Sequence, residues 1–353
     1  MFKKYIATFS DDSRVALRAR VIAMIAVIAI ANVFAWIYAV VALRSHPLLL
    51  GTAFLAYTFG LRHAVDADHI AAIDNTTRKL MQSGKRPVSA GFFFAVGHST
   101  IVILLSVGVA FAASSIEGHF DQLKAVGGII ATSVSATFLL VLAIVNIQIL
   151  YSVVQTFRRV KLGEALVEDD LDILMNKSGF LSRIFRPLFR LVTRSWHMFP
   201  IGFLFGLSFD TATEVALFGI SASQAAKGMS VETILVFPTL FMAGMTLIDT
   251  ADGLLMLGAY GWAFRRPARK LFYNITITFV SVVAAVLIGG IEVLALSAQQ
   301  FQLKGAFWDF VGKISDNFGM VGYLVIGLFI VSWLVSVAVY KIGKYDELPI
   351  NIS

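Results

Sequence analysis

Residues 62–75 read RHAVDADHIAAIDN, and they directly follow LLLGTAFLAYTFGL at residues 48–61. The first stretch places Arg62, His63, Asp66, Asp68, His69 and Asp74 inside or against a run apolar enough to enter a membrane. Ionisable side chains in hydrocarbon cost roughly 2.5–3.5 kcal/mol each on insertion scales, so they persist where they line a cavity, pair or bind an ion. Imidazoles interleaved with carboxylates are the donor set of a divalent transition metal.

Working outward, the rest of the chain has the composition of a membrane protein. Of its 353 residues 58% are hydrophobic and only 14% charged, where a soluble domain carries about 25% charged residues. Mean hydropathy is +0.80. Cysteine is absent, which excludes disulfides, iron–sulfur clusters and thiolate sites and disfavours copper(I). The net charge of +7 does not indicate nucleic acid, because basic residues at span ends also orient membrane proteins. The basic N-terminus runs into a long apolar segment without a small-residue cleavage site, so it is expected to be retained.

At about 20 residues per span, the apolar runs predict an all-α, polytopic protein with eight transmembrane helices. They lie near 21–43, 48–75, 88–115, 125–157, 197–222, 233–264, 271–299 and 318–340. Lysine and arginine number 23 on the side of the termini and five on the other, with Arg62 inside, which puts both termini in the cytoplasm. The whole chain, 1–353, reads as one integral membrane domain. Its central cytoplasmic loop, 158–196, has an acidic first half and a basic, amphipathic second half, the pattern of a connector lying near anionic headgroups or of a regulatory segment.

Intramembrane charge gathers in a few spans. Beyond span two it comprises His98, Asp210, Glu214, Asp249, Asp252 and Glu292, so eight carboxylates face one arginine. Such an excess calls for cations or protons. On an unbroken helix His63, Asp66 and His69 share an arc of about 120°, but His63 and His69 are about 9 Å apart along the axis, too far to share an ion. A break in span two is therefore expected, as in transporters whose discontinuous helices form the substrate site. On a regular helix Asp66 and one histidine would bind, with Asp68 facing Arg62 or another helix. Glu117, His119 and Asp121 form an outer loop that either collects cations or is simply solvated.

A weak internal match aligns GLRHAVDADHI from Gly60 with GLSFDTATEVA from Gly206, pairing Asp68 with Glu214, and nearly pairs Gly97 with Gly244. Because spans two and five run in opposite directions, spans 2–4 and 5–7 would form a 3+3 inverted repeat.

His63, AVDA, Asp68 and His69 form an H-x4-D-H motif that resembles the signature of the nickel/cobalt transporter (NiCoT) permeases. FAVGHST around His98, GLSFDTATE around Asp210 and Glu214, and GMTLIDTADG around Asp249 and Asp252 resemble that family's further motifs, in order. The resemblance implies uptake of Ni2+ or Co2+ across a bacterial cytoplasmic (inner) membrane without ATP. It also implies that His63, Asp68 and His69 are needed for transport, and that Asn32 tunes ion selectivity through the span-two histidine.

The partners expected are a divalent transition-metal ion and the lipid bilayer, with no nucleic acid and no ATPase subunit. The ion would be cargo, and no cofactor is expected. Alternating access, driven by the membrane potential or a proton gradient, is the expected mechanism. A metal exporter of the same superfamily is the main alternative, but the 158–196 loop has no histidine to serve it. A non-transporting metal sensor is a further one. An intramembrane metalloprotease would require H-E-x-x-H, which is absent.

Overall fold

The computed structural model describes residues 12, 16–112, 120–161, 192–207, 212–263 and 267–342. Every regular element among them is helical. Helix α1 (Leu17–Ala42) is apolar on all sides, as befits a helix partly surrounded by lipid. Its Ile22, Ile25, Ile30, Val33, Phe34, Ile37, Val40 and Val41 are each more than half exposed. Then come α2 (Leu49–His63), α3 (Ala67–Gln82), α4 (Ala90–Ala112) and α5 (Phe120–Lys161). A single 3-10 turn at Ser195–His197 leads into α6 (Met198–Phe205) and α7 (Ala212–Ala226). The remainder is α8 (Val231–Ile234), α9 (Val236–Ala263), α10 (Pro267–Gln300), α11 (Ala306–Ser315) and α12 (Phe318–Ile342).

Among the described residues, five segments are long and apolar enough to cross a membrane, and the pair α11–α12, bent by 76°, makes a sixth if it is one span. Eight spans were expected. The two missing from this tally are spans two and five, each divided into helices too short to cross alone. Span six carries a smaller interruption. The Pro238 ring crowds the carbonyl four residues back, and α8 ends at that residue, Ile234.

The break in span two has a clear local construction. At the end of α2 the amides of Val65 and Asp66 bond to the carbonyls of Arg62 and His63, tightening the last turn. Asp66 then turns to an extended backbone, ψ 145°, and becomes the residue ahead of α3. Aspartate is a favoured N-cap, yet its carboxylate makes no capping bond here. The amide of His69, which has no partner within the helix, is instead taken by Asp68 Oδ1 at 3.0 Å, a first-turn acid that also suits the helix dipole.

Hydropathy places the end of span two at Asn75 and Arg78 among the cytoplasmic bases. That boundary is corrected: α3 runs to Gln82, and Arg78 is fully buried. The helix is polar because it packs inside the protein and touches α9, α12, α10, α5 and α4.

Glycines allow the closest crossings. A methyl group at Gly60 on α2 would overlap the carbonyl of Phe241 on α9, and Gly244 of α9 lies against Tyr57 and Leu61 of α2. Likewise Gly97 on α4 lies against Phe199, and Gly202 on α6 against Phe94. Gly322 of α12 rests directly on the Val65 carbonyl within the span-two break. The core around these crossings includes Ala53, Ala56, Phe237, Leu240 and Phe241.

Candidate metal centre

The span-two break changes what its histidines can reach. The ring centroids of His63 and His69 lie 4.8 Å apart, and His98 of α4 stands 4.9 and 4.8 Å from them. All three rings are buried, and one ligand nitrogen from each lies within 4.8 Å of the other two. Nitrogens sharing one ion at bond lengths of about 2.1 Å stand at most about 4.2 Å apart, so a small contraction would let the three hold a single ion.

Carboxylates surround the rings in an ordered way. Glu214, in the first turn of α7 and fully buried, places Oε1 3.0 Å from His98 Nε2 and 3.7 Å from His63 Nε2. His63 Nε2 and His98 Nε2 are themselves 3.1 Å apart. On the other side of its ring, His63 Nδ1 faces Asp66 Oδ2 at 3.2 Å and Thr213 Oγ1 at 3.3 Å. Asp249 of α9 faces His69 Nδ1, while His69 Nε2 is shielded from solvent and has no hydrogen-bond partner among the described residues. A buried nitrogen without a partner calls for an explanation, and a metal ion at the centre of the cluster supplies one. Carboxylates that hold the far nitrogen of a ligating histidine fix its tautomer and raise its basicity. Asp66 and Asp249 occupy that position on His63 and His69.

Two phenylalanines close the pocket. Phe94 sets its ring perpendicular to His69 at 4.8 Å, and Phe241 lies 5.4 Å from His63. Phe94 sits one helical turn before His98, inside the FAVGHST stretch, and Thr213 lies beside Glu214 in GLSFDTATE. Sequence reasoning singled out neither. Their signal was their place inside motifs already marked for their charges.

The other residues expected at the site lie further out. Asp68 is occupied by the His69 amide and is partly exposed. Arg62 approaches Asp66 at 3.9 Å and, among the described residues, forms no ion pair with Asp68. Asp252, a turn beyond Asp249, makes no hydrogen bond to a histidine, and its Oδ2 is shielded without a partner among the described residues. Asn32 of α1 accepts a bond from Tyr57 of α2 at 3.0 Å and gives one to the Ile28 carbonyl. It therefore meets α2 more than a turn away from His63. Asp210, Glu117 and His119, the side chain of Asp121, and most of the central loop (162–191) fall outside the described residues.

An all-helical membrane scaffold with broken spans around buried imidazoles and carboxylates defines a transporter of transition-metal ions. The chain belongs to the NicO family, described as high-affinity nickel-transport proteins, whose model matches residues 49–339. It is therefore a transport protein and not an enzyme. It is 54% identical to the high-affinity nickel transport protein of Cupriavidus necator, over 95% of both chains. It is 49% identical to the hydrogenase nickel incorporation protein HupN of Bradyrhizobium diazoefficiens, over 88% of this chain and 81% of that one. It is 42% identical to the cobalt transport protein NhlF of Rhodococcus rhodochrous, over 81% of each. No solved structure matches the chain.

Proposed function

We propose that the protein takes up Ni2+, Co2+ or both across a bacterial cytoplasmic membrane by alternating access, without ATP. The single observation carrying this reading is the buried cluster of His63, His69 and His98 with Glu214 Oε1 against it. Three imidazoles and a carboxylate suit Ni2+ or Co2+, whereas an all-oxygen site would suit Mg2+ or Ca2+. The nickel and cobalt transport names of the relatives agree with that donor set. In this reading His63, His69 and His98 bind the ion with Glu214, Asp66 and Asp249 orient two of the rings, and Asp68 shapes the break. The ion is cargo, and neither a cofactor nor an ATPase subunit is required.

The architecture behind it is one domain of eight spans with both termini in the cytoplasm and the 158–196 segment as its central cytoplasmic loop. Spans 2–4 and 5–7 form the inverted repeat. Supporting this, Asp68 and Glu214, paired by the internal match, each lie in the first turn of the second helix of a divided span. The paired glycines also play matching roles. Gly60 and Gly244 lie in the α2–α9 crossing, and Gly97 and Gly206 between α4 and α6. Rocking about these two seams would expose the histidines to one side and then the other.

An interior-negative potential suffices as driving force. At about 2.3 kcal/mol per charge per 100 mV, a divalent ion gains about 4.6 kcal/mol, a gradient of roughly 2000-fold. The test is accumulation of radioactive nickel and cobalt at nanomolar concentration in cells expressing the wild type or His69→Ala, each metal competing against the other and against zinc. Accumulation by the wild type alone supports the reading. Expressing cells that hold less metal than empty controls would show export, and no difference in either direction would sink transport of these ions.

A further inference from the structure

Beyond the histidines, along α3 and away from the break, the interior holds a second polar centre. Asp74, about 7.5 Å along the helix from His69, accepts hydrogen bonds from the Tyr260 hydroxyl and from Ser281 Oγ at 2.7 Å. Arg78, one turn further, gives its guanidinium to Thr278 Oγ1 and Asn75 Oδ1, both at 3.1 Å. Asn146 of α5 bonds to the same Asn75 oxygen. Arg78 has no exposed surface, and its Nε finds no partner among the described residues. Among the described residues it makes no ion pair with any carboxylate; neutral oxygens hold it, with Asp74 acting only through its field.

A guanidinium remains charged inside a protein, and burying a charge without a contacting counter-ion is expensive. An anchor between α3 and α10 needs no charge. The position of this one supplies a reason. Asp249 touches His69, Asp252 lies a turn further along α9 within electrostatic reach of both Asp249 and Asp74, and Arg78 follows Asp74. A row of buried carboxylates leading away from a cation site is a proton pathway unless something interrupts it. A fixed positive charge in a narrow path is an effective barrier to protons and other cations.

We propose that Arg78 is this barrier: clamped between α3 and α10, it closes the end of the path nearest Lys79–Arg86 to protons and monovalent cations, whether or not the metal site is loaded. The inference rests on the transport reading above. The cargo leaves only when α10 and α3 part and Thr278 comes off the guanidinium.

Full-length protein in liposomes, under an interior-negative potassium diffusion potential and with a trapped pH dye, gives the test. Without nickel, Arg78→Gln should admit protons faster than wild type by on the order of tenfold or more, since a unit charge a few ångströms away repels a cation by several RT at an effective dielectric of about 20. Arg78→Lys, whose buried amine gives up its charge more readily than a guanidinium, should stay tight at low pH and leak as pH rises. A residue that merely anchored the helices would lower uptake without opening a leak. A tight Arg78→Gln, or an Arg78→Lys as leaky as Arg78→Gln at low pH, overturns the proposal. If Arg78→Gln does not fold, Arg78→Lys alone takes its place, and a leak that does not rise with pH relative to wild type then overturns it. Nickel binding to the same preparations by calorimetry keeps the two readings apart. A leak that depends on Arg78 in a wild type that neither binds nor moves nickel would leave the barrier standing and remove the metal assignment.

Discussion

Asp249 and His69, 180 residues apart in sequence, face each other in the interior with both carboxylate oxygens 3.3 and 3.4 Å from the ring Nδ1. Each is at most 1% exposed. The contact joins the second helix of the divided span to the long α9, so the ring that a metal would use is aimed by the opposite half of the molecule.

That contact sets the first expected outcome. Asp249→Asn keeps the shape and removes the charge that supports His69. Loss of such a partner typically weakens metal affinity by about 10–100-fold. Nickel calorimetry on purified protein should show that fall with the protein still monodisperse, and the apparent KM of uptake should rise with it. Unchanged affinity would mean that His69 does not ligate through Nε2.

The glycine seams set a second. Gly60→Ala would drive its methyl group into the Phe241 carbonyl, and Gly202→Ala into that of Phe94. The backbone cannot yield as a side chain would, and overpacking of this kind costs about 1–3 kcal/mol. Both variants should lower the thermal midpoint in detergent and slow uptake. Gly258→Ala on α9, where the added methyl meets nothing, should do neither.

How far the sequence alone carries the site depends on the range of each contact. The span-two break was legible, because helix geometry keeps His63 and His69 apart unless the chain unwinds between them. The meeting of His98 with Glu214, across 116 positions, was expected only as shared membership of one cavity, since no local pattern specifies which rings and carboxylates touch. Arg78 was misread for a physical reason. Beside Lys79, Lys85 and Arg86 it resembles the cytoplasmic edge of a span, and hydropathy cannot distinguish a helix end in water from a polar helix buried in protein. The helix α11 was missed similarly. Its ten residues are too few to register as a span, so hydropathy leaves them between spans seven and eight.

External pH should act through the imidazoles. A ligating histidine must be neutral, and its ordinary pKa lies near 6.5, so protons compete with the ion as pH falls. Uptake from a fixed free-metal concentration should therefore decline below about pH 6 and recover on return to neutrality. The sign follows from the ligand: acid protonates the free site and so disfavours loading. Initial rates that stay flat between pH 7 and 5 would show that the rate-limiting step does not involve an open histidine site.

Asn32 is joined to α2, and so to the metal site, through Tyr57. Its Oδ1 accepts from the Tyr57 hydroxyl at 3.0 Å, and Tyr57 lies six residues before His63 on the same helix. The Tyr57 carbonyl is also pressed against Gly244, so a shift at this point is carried into the α2–α9 seam that frames the site. If Asn32 sets the preference between nickel and cobalt, it does so by holding this register. Asn32→Val and Tyr57→Phe should then shift the ratio of nickel to cobalt uptake in the same direction, and the double variant should shift it no further than the larger single change. Residues sharing one bond are expected to be non-additive in this way, whereas independent effects would add. Competition uptake of the two metals in the four proteins measures it. Additive shifts, or a ratio altered by Asn32→Val alone, would mean that Asn32 acts by a route other than Tyr57.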